Sequence, residues 1–139
     1  MAGVCVLLWL AVLSVYDIRE RRLPNWLTMP GAAVILVAAG MLGRGNPALI
    51  GAVALFALYA LVHVVSPSAM GAGDVKLAIG IGALTGAFGS DVWVLAALGA
   101  PLLTAVCAVV ALLFRSGPTV PHGPSMCLAA VVASALVVV

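Results

Sequence analysis

The chain has very few charged residues. Only 7% of its 139 residues are Asp, Glu, Lys or Arg, and 65% are hydrophobic. Soluble domains carry about 25% charged residues, so an ordinary water-soluble fold is excluded. The net charge of +2 is small, and no basic cluster is interleaved with aromatic residues. A nucleic-acid partner is therefore not expected.

Cysteine is scarce as well. Cys5, Cys107 and Cys127 all lie in apolar runs, and the sequence contains no CxxC pair. This spacing excludes the common zinc and redox motifs, and we predict no bound metal. The first apolar run has no positive charge before it, so we expect a retained helix and not a cleavable signal peptide.

What the chain does contain is long apolar runs. Crossing a hydrocarbon core of ~30 Å takes about 20 helical residues. The pattern predicts an all-α membrane protein, a bundle of about six transmembrane helices in a single polytopic domain over residues 1–139. The runs are Met1–Tyr16, Trp26–Leu42, Ala48–Val65, Leu77–Phe88, Val92–Phe114 and Met126–Val139.

The fourth run is the shortest and the richest in glycine. Runs one, four and six are all short for a membrane span, and the fourth carries Gly80, Gly82 and Gly86. Small residues let neighbouring helices approach closely. We predict a short helix buried inside the bundle. The alternative is a re-entrant or interfacial segment.

The basic residues predict an orientation. With six spans and the N-terminus outside, five of the six basic residues fall in cytoplasmic loops and only Arg44 falls outside, in agreement with the positive-inside rule. This orientation places Asp17 and Asp74 at the cytoplasmic side. The five cytoplasmic residues are Arg19, Arg21, Arg22, Lys76 and Arg115.

Two of the four acids stand at the edges of apolar runs. Asp17 follows the first run, and Asp74 lies in the segment Gly-Ala-Gly-Asp-Val-Lys that opens the fourth. An ionisable group at membrane depth is a functional candidate. Two carboxylates that lie close together share a proton, so one can act as general base on a water while the other acts as general acid. Other roles remain open at this stage: a helix N-cap for Asp74, and an interfacial salt bridge for Asp17.

The neighbouring residues fit a peptide-binding site. Gly71 and Gly73 allow positive φ and close backbone approach. A peptide held as an extended strand needs such room beside the scissile bond. Lys76 has three open roles: it can lower the pKa of an acid, bind a lipid phosphate, or snorkel to the interface.

Three sequence blocks resemble the type IV prepilin leader peptidase family, which includes the archaeal preflagellin peptidases. Residues 17–25, Asp-Ile-Arg-Glu-Arg-Arg-Leu-Pro-Asn, resemble its first catalytic block. Residues 71–76 resemble its Gly-x-Gly-Asp-x-Lys block, shared in part with presenilin-type proteases. Residues 120–124, Val-Pro-His-Gly-Pro, resemble a Pro-aromatic-Gly-Pro block before the last helix. His122 departs from the Phe or Tyr usual there, which leaves its role undecided.

The resemblance implies an aspartic endopeptidase of the inner membrane, with Asp17 and Asp74 as the catalytic pair. It implies that the enzyme removes the short basic leader of type IV pilin-like precursors at the cytoplasmic face, in contact with membrane lipid and without a cofactor. Substrate-binding or site-shaping roles are implied for Gly71, Gly73, Lys76, Pro121 and Gly123.

The long bifunctional members of this family also N-methylate the mature pilin. This sequence lacks their paired CxxC motifs and large N-terminal cytoplasmic domain, so we expect cleavage without methylation. Two other functions remain open. A small proton-coupled transporter also uses intramembrane acids and glycine-broken helices, and a catalytically silent pilus-assembly scaffold would share the same layout.

Overall fold

Six α-helices joined by short connections form the described part of the chain. The computed structural model describes residues 1–117 and 119–138. Because these helices correspond to the six apolar runs, the predicted all-α architecture is confirmed; the predicted end of the last run, Val139, lies outside the described residues. The helices are α1 Ala2–Glu20, α2 Asn25–Met41, α3 Gly45–Val65, α4 Ala72–Phe88, α5 Ser90–Leu113 and α6 Gly123–Val138.

Three of these helices, α1, α3 and α5, are long and apolar enough to cross a membrane by length and composition, and α2 and α6 are shorter apolar helices. Large apolar side chains such as Leu8, Val53 and Leu98 are exposed on the long helices, as on a surface that faces lipid. The chain is a membrane protein. The expectation that the first helix is short was wrong, because α1 continues past Tyr16 to Glu20 and has 19 residues.

Helix α4 forms the centre of the bundle. It packs against α2, α3, α5 and α6, most extensively against α3, whereas α1 packs chiefly on α6. Its side chains Leu77, Ala78 and Ile81 are almost fully buried. The prediction of a short, buried fourth helix is therefore confirmed.

The glycines of α4 make this central position possible. A methyl group at Gly82 would overlap the Gly51 carbonyl of α3, and one at Gly86 would lie 2.6 Å from the Pro47 carbonyl. Helices α3 and α4 thus pack backbone against backbone, as small residues allow. On the other side, a methyl group at Gly80 would lie 2.8 Å from the Trp9 ring of α1.

Two helices extend beyond their apolar runs, and each extension contains one of the acids. Asp17 lies in the last turns of α1, which continues to Glu20. Asp74 lies in the first turn of α4, which begins at Ala72. Apolar periodicity locates the buried or lipid-facing part of a helix, whereas the backbone hydrogen bonds continue into polar residues. The C-terminal end of α1 and the N-terminal end of α4 lie at the same end of the bundle, beside the start of α6.

Candidate active site

Asp17 is held at the C-terminal end of α1. The helix ends at Arg21, whose backbone is left-handed (φ 54°, ψ 25°) and whose N–H donates to the Asp17 carbonyl. This is the αL termination common at helix C-termini, here without glycine. The Asp17 side chain points into the bundle and is only 8% exposed. A carboxyl group so enclosed requires a hydrogen-bond partner.

That partner is the first residue of α6. The Gly123 N–H donates to Asp17 Oδ2 at 3.0 Å. The first N–H groups of a helix have no partner within the helix and favour a negative charge. A methyl group at residue 123 would lie 2.6 Å from the same oxygen, so only glycine fits here without a shift. Among the described residues, Asp17 thus pairs with a backbone N–H and not with an arginine.

Asp74 has a more open position. It is half-buried in the first turn of α4, and Gly71, not Asp74, is the N-cap residue. Neither glycine uses the positive φ that glycine allows, because Gly71 is extended (φ −73°, ψ 150°) and Gly73 is helical. Close approach is confirmed for Gly73, where a methyl group would lie 3.2 Å from Leu23 Cβ. The connection between α1 and α2 therefore lies directly on the start of α4.

Both acids line one cavity of about 750 Å³. Its wall consists of residues 16–17 and 20–25 on one side and residues 71–74 and 76 on the other. The first two sequence blocks thus face each other, and Gly71, Gly73 and Lys76 lie in the wall, where a substrate-binding role for them stays a prediction. Pro121 and Gly123 do not line the cavity. Gly123 is connected to the cavity through the side chain of Asp17, to which its N–H donates. Pro121 is half-buried next to His122.

Lys76 has a defined partner at the rim of this cavity. Its Nζ donates to Asn25 Oδ1 at 2.8 Å, which joins the first residue of α2 to the first turns of α4. The ammonium group is thereby directed towards a neutral amide. This contact with Asn25 is not one of the three roles that the sequence left open for Lys76.

A second polar cluster lies behind Asp17 and was missed by sequence reasoning. His122 Nε2 lies 3.2 Å from the Tyr59 hydroxyl, and His122 Nδ1 lies 2.6 Å from Thr104 Oγ1. Burial lowers the pKa of His122, which favours its neutral form. The signal available in the sequence was a hydroxyl group in each of the apolar helices α3 and α5. No spacing in the sequence indicates that these hydroxyl groups contact residue 122.

No three His, Cys, Asp or Glu side chains lie close enough to hold a metal ion within residues 1–117 and 119–138. The groups that line the cavity include the carboxylates of Asp17 and Asp74, and that of Asp17 is fixed by a backbone donor. Such a pair is suited to acid–base chemistry on a bound water.

The type IV leader peptidase family model matches residues 4–139. The chain belongs to the type IV leader peptidase family. The predicted family is thus confirmed over essentially the whole chain, and it assigns this membrane protein to the peptidases. Comparisons with curated proteins and with solved structures find no match. In this member of the family, the first two blocks line the cavity and the third lies against Asp17.

Proposed function

We propose that the chain is an aspartic endopeptidase that removes the short basic leader from type IV pilin-like precursors. One observation carries the proposal. Asp17 and Asp74, from helices far apart in the sequence, line the same cavity. The family supports leader peptidase activity in general, and paired carboxylates provide a general base and a general acid without a metal.

The surroundings of the two acids divide their roles. The Gly123 N–H donates to Asp17, and a donor of this kind stabilises the ionised carboxylate. Asp17 is then the general base, and the shared proton resides on Asp74. Asp17 takes a proton from a water, whose oxygen attacks the scissile carbonyl carbon. Asp74 gives its proton to the carbonyl oxygen. When the C–N bond breaks, the amine leaves with the proton that Asp17 had taken, and one hydroxyl group of the tetrahedral intermediate returns its proton to Asp74 as the carboxylic acid forms.

The site also suits the geometry of the substrate. A pilin-like precursor has a basic leader followed by a hydrophobic helix, and that helix would lie in the membrane beside the bundle. The scissile junction then reaches the cavity, where Gly71 leaves room for an extended strand beside Asp74. Glu20, also in the cavity wall, carries a charge opposite to that of the leader.

The membrane placement is part of the proposal. The N-terminus lies outside and the cavity opens to the cytoplasm, since five of the six basic residues then fall on the cytoplasmic side. The protein is a multi-pass protein of the inner membrane. Cleavage proceeds without N-methylation, because the sequence lacks the CxxC motifs of the methylating members.

The test is co-expression with a tagged pilin-like precursor, followed by a gel for loss of the leader. Wild type is expected to cleave, whereas Asp17→Asn and Asp74→Asn are expected to lose cleavage by at least about a thousandfold, as when an acid–base group is removed. Asp91→Asn is the matched control, because Asp91 lies in the first turn of α5 and outside the cavity. Mass spectrometry of the mature N-terminus tests the absence of methylation.

Appreciable cleavage by either Asn variant would refute the catalytic pair. A folded wild type that cleaves none of several precursors would favour the silent scaffold or the transporter. Proton-coupled flux in liposomes separates those two.

A further inference from the structure

His122 occupies an unusual place between two apolar helices and the candidate active site. It is the last residue before α6 and is half-buried. Its ring lies against Tyr59 of α3, with ring centroids 5.7 Å apart. The next residue in the chain, Gly123, donates to Asp17. A side chain fixed inside the bundle is thus one peptide bond away from the donor that holds the carboxylate.

The hydrogen bonds around the ring form a consistent set for a neutral imidazole. The Thr104 hydroxyl donates to the Ala100 carbonyl at 3.1 Å, so its oxygen is free to accept from His122 Nδ1–H. Nε2 is then the acceptor for the Tyr59 hydroxyl. His122 and Thr104 each have one donor and one acceptor role filled, and the Tyr59 hydroxyl has its donor role filled. The burial that lowers the pKa of His122 agrees with this neutral state.

These contacts fix the peptide unit between residues 122 and 123. The ring is tied to α3 and α5, and the His122 carbonyl accepts from the Met126 N–H at 3.1 Å. The space beside Asp17 is too tight for a methyl group at residue 123. Since a hydrogen bond weakens steeply with angle and distance, loss of the ring's partners is expected to disturb the bond to Asp17.

We infer that His122 is a positioning residue for Asp17, because its ring, held by Tyr59 and Thr104, fixes the Gly123 N–H on the Asp17 carboxylate. The role in catalysis rests on the proposed function, and His122 itself does not touch the reacting atoms. Tyr59 and Thr104 belong to the same device. This role depends on histidine at position 122, where the family usually has Phe or Tyr. Phe would fill the same space, but the hydroxyl groups of Tyr59 and Thr104 would lose their hydrogen bonds to a ring nitrogen.

The first test is kinetic, on purified protein with a precursor peptide. His122→Ala is expected to lower kcat by about tenfold to a hundredfold, the range for loss of a hydrogen bond to a charged group, with KM nearly unchanged. His122→Asn places a polar group near the position of Nδ1 and is expected to recover part of kcat. A higher KM with unchanged kcat would overturn the inference, because it would assign His122 to substrate binding.

A milder pair of variants guards against misfolding. Thr104→Val removes one partner of the ring and is expected to lower kcat by about threefold to tenfold, as for a neutral hydrogen bond. Thr85→Val is the matched control, because Thr85 also donates to the carbonyl four residues earlier but lies away from His122 in α4. Equal kcat for the two valine variants would overturn the role of Thr104 and the ring.

The second test does not need cleavage. With ¹⁵N-glycine labelling, amide hydrogen exchange at Gly123 is expected to be slow in wild type and Thr85→Val, and faster in His122→Ala and Thr104→Val. If wild type cleaves no precursor yet the exchange follows this order, the proposed function fails and the positioning role stands. If exchange at Gly123 is the same in all four proteins, the positioning role fails even when wild type is active.

Discussion

Asp17 and Asp74 line one cavity, yet the protein surrounds the two carboxylates in different ways. Asp17 is 8% exposed, accepts a hydrogen bond from the Gly123 N–H, and has no room for one more methyl group beside it. Asp74 is half-buried in the first turn of α4, directly after Gly73. One acid is enclosed by α6, and the other borders open space.

The difference agrees with two separate tasks. A general base must hold its water in line with the scissile carbonyl, and misplacement by about 1 Å can reduce the rate about a hundredfold. A general acid beside a polypeptide needs space for a chain that enters and leaves. Rigid support on one side and room on the other is what a protease for an extended peptide requires. Four sets of substitutions test whether the surroundings of Asp17 and Asp74 differ in this way.

The largest expected effect comes from one added methylene at each acid. Asp17→Glu is expected to lower cleavage at least about a hundredfold, because the longer side chain has no space against α6. Asp74→Glu is expected to retain more activity, with a loss of about tenfold. Cleavage of a precursor peptide by the purified variants measures both. Equal losses would show that the two carboxylates are held with the same tolerance.

A methyl group beside each acid gives the next largest effect. Gly123→Ala is expected to lower kcat by about tenfold to a hundredfold, because its Cβ would lie 2.6 Å from Asp17 Oδ2. Gly73→Ala is the matched change at Asp74. Its Cβ would meet only Leu23, at 3.2 Å, so the α1–α2 connection has to shift by a few tenths of an ångström and a loss of about threefold is expected. A larger loss of kcat for Gly73→Ala than for Gly123→Ala would show that the surroundings of Asp74, and not those of Asp17, are the less tolerant.

Sequence patterns predicted the number of helices, the buried glycine-rich α4 and the two acids, because hydropathy and rare polar residues are local features. They did not predict that α1 continues to Glu20 or that α4 begins as early as Ala72, since backbone hydrogen bonds extend helices beyond their apolar part. Positive φ, which glycine allows, is not used at Gly71 or Gly73. Gly71 is the N-cap of α4, and Gly73 is needed for packing space against Leu23.

The contact between Gly123 and Asp17 lay beyond any local pattern. It depends on how α6 crosses α1, which is set by side chains distributed over both helices, such as Leu13 and Met126 in the shared core. The third block was recognised in the sequence, but its role of donating a hydrogen bond to Asp17 was not predicted. Tyr59 and Thr104 were missed as partners of His122 because each is a single polar residue in an apolar helix, with no spacing that relates them.

The loop that leads away from Asp17 gives a smaller test. Arg21 donates through Nη1 to Thr119 Oγ1 at 2.6 Å and through Nη2 to the Thr119 carbonyl at 3.2 Å. It thereby ties the end of α1 to the segment before Gly123. Arg21→Gln is expected to lower kcat by about threefold, since exposed hydrogen bonds contribute little.

Arg19→Gln is the control for this change, because it removes the same charge from an exposed position in the last turn of α1 outside the cavity wall. Equal effects of the two substitutions would assign the loss to charge. In that case the tie to Thr119 does not contribute to the rigid support of Asp17.

The smallest effect is expected on the side of Asp74. Lys76 Nζ and Asn25 Oδ1, 2.8 Å apart, join the walls of the cavity at its exposed rim. Lys76→Met and Asn25→Ala are each expected to change kcat/KM by less than about threefold, because exposed polar pairs contribute about 1 kcal/mol or less. The double variant is expected to match the larger single effect, since both changes remove one contact. A loss of kcat/KM from either single change that is larger than the loss from Gly73→Ala would contradict this expectation. The wall beside Asp74 would then depend on a specific hydrogen bond, as Asp17 depends on Gly123. The two acids would in that case be held with equal rigidity.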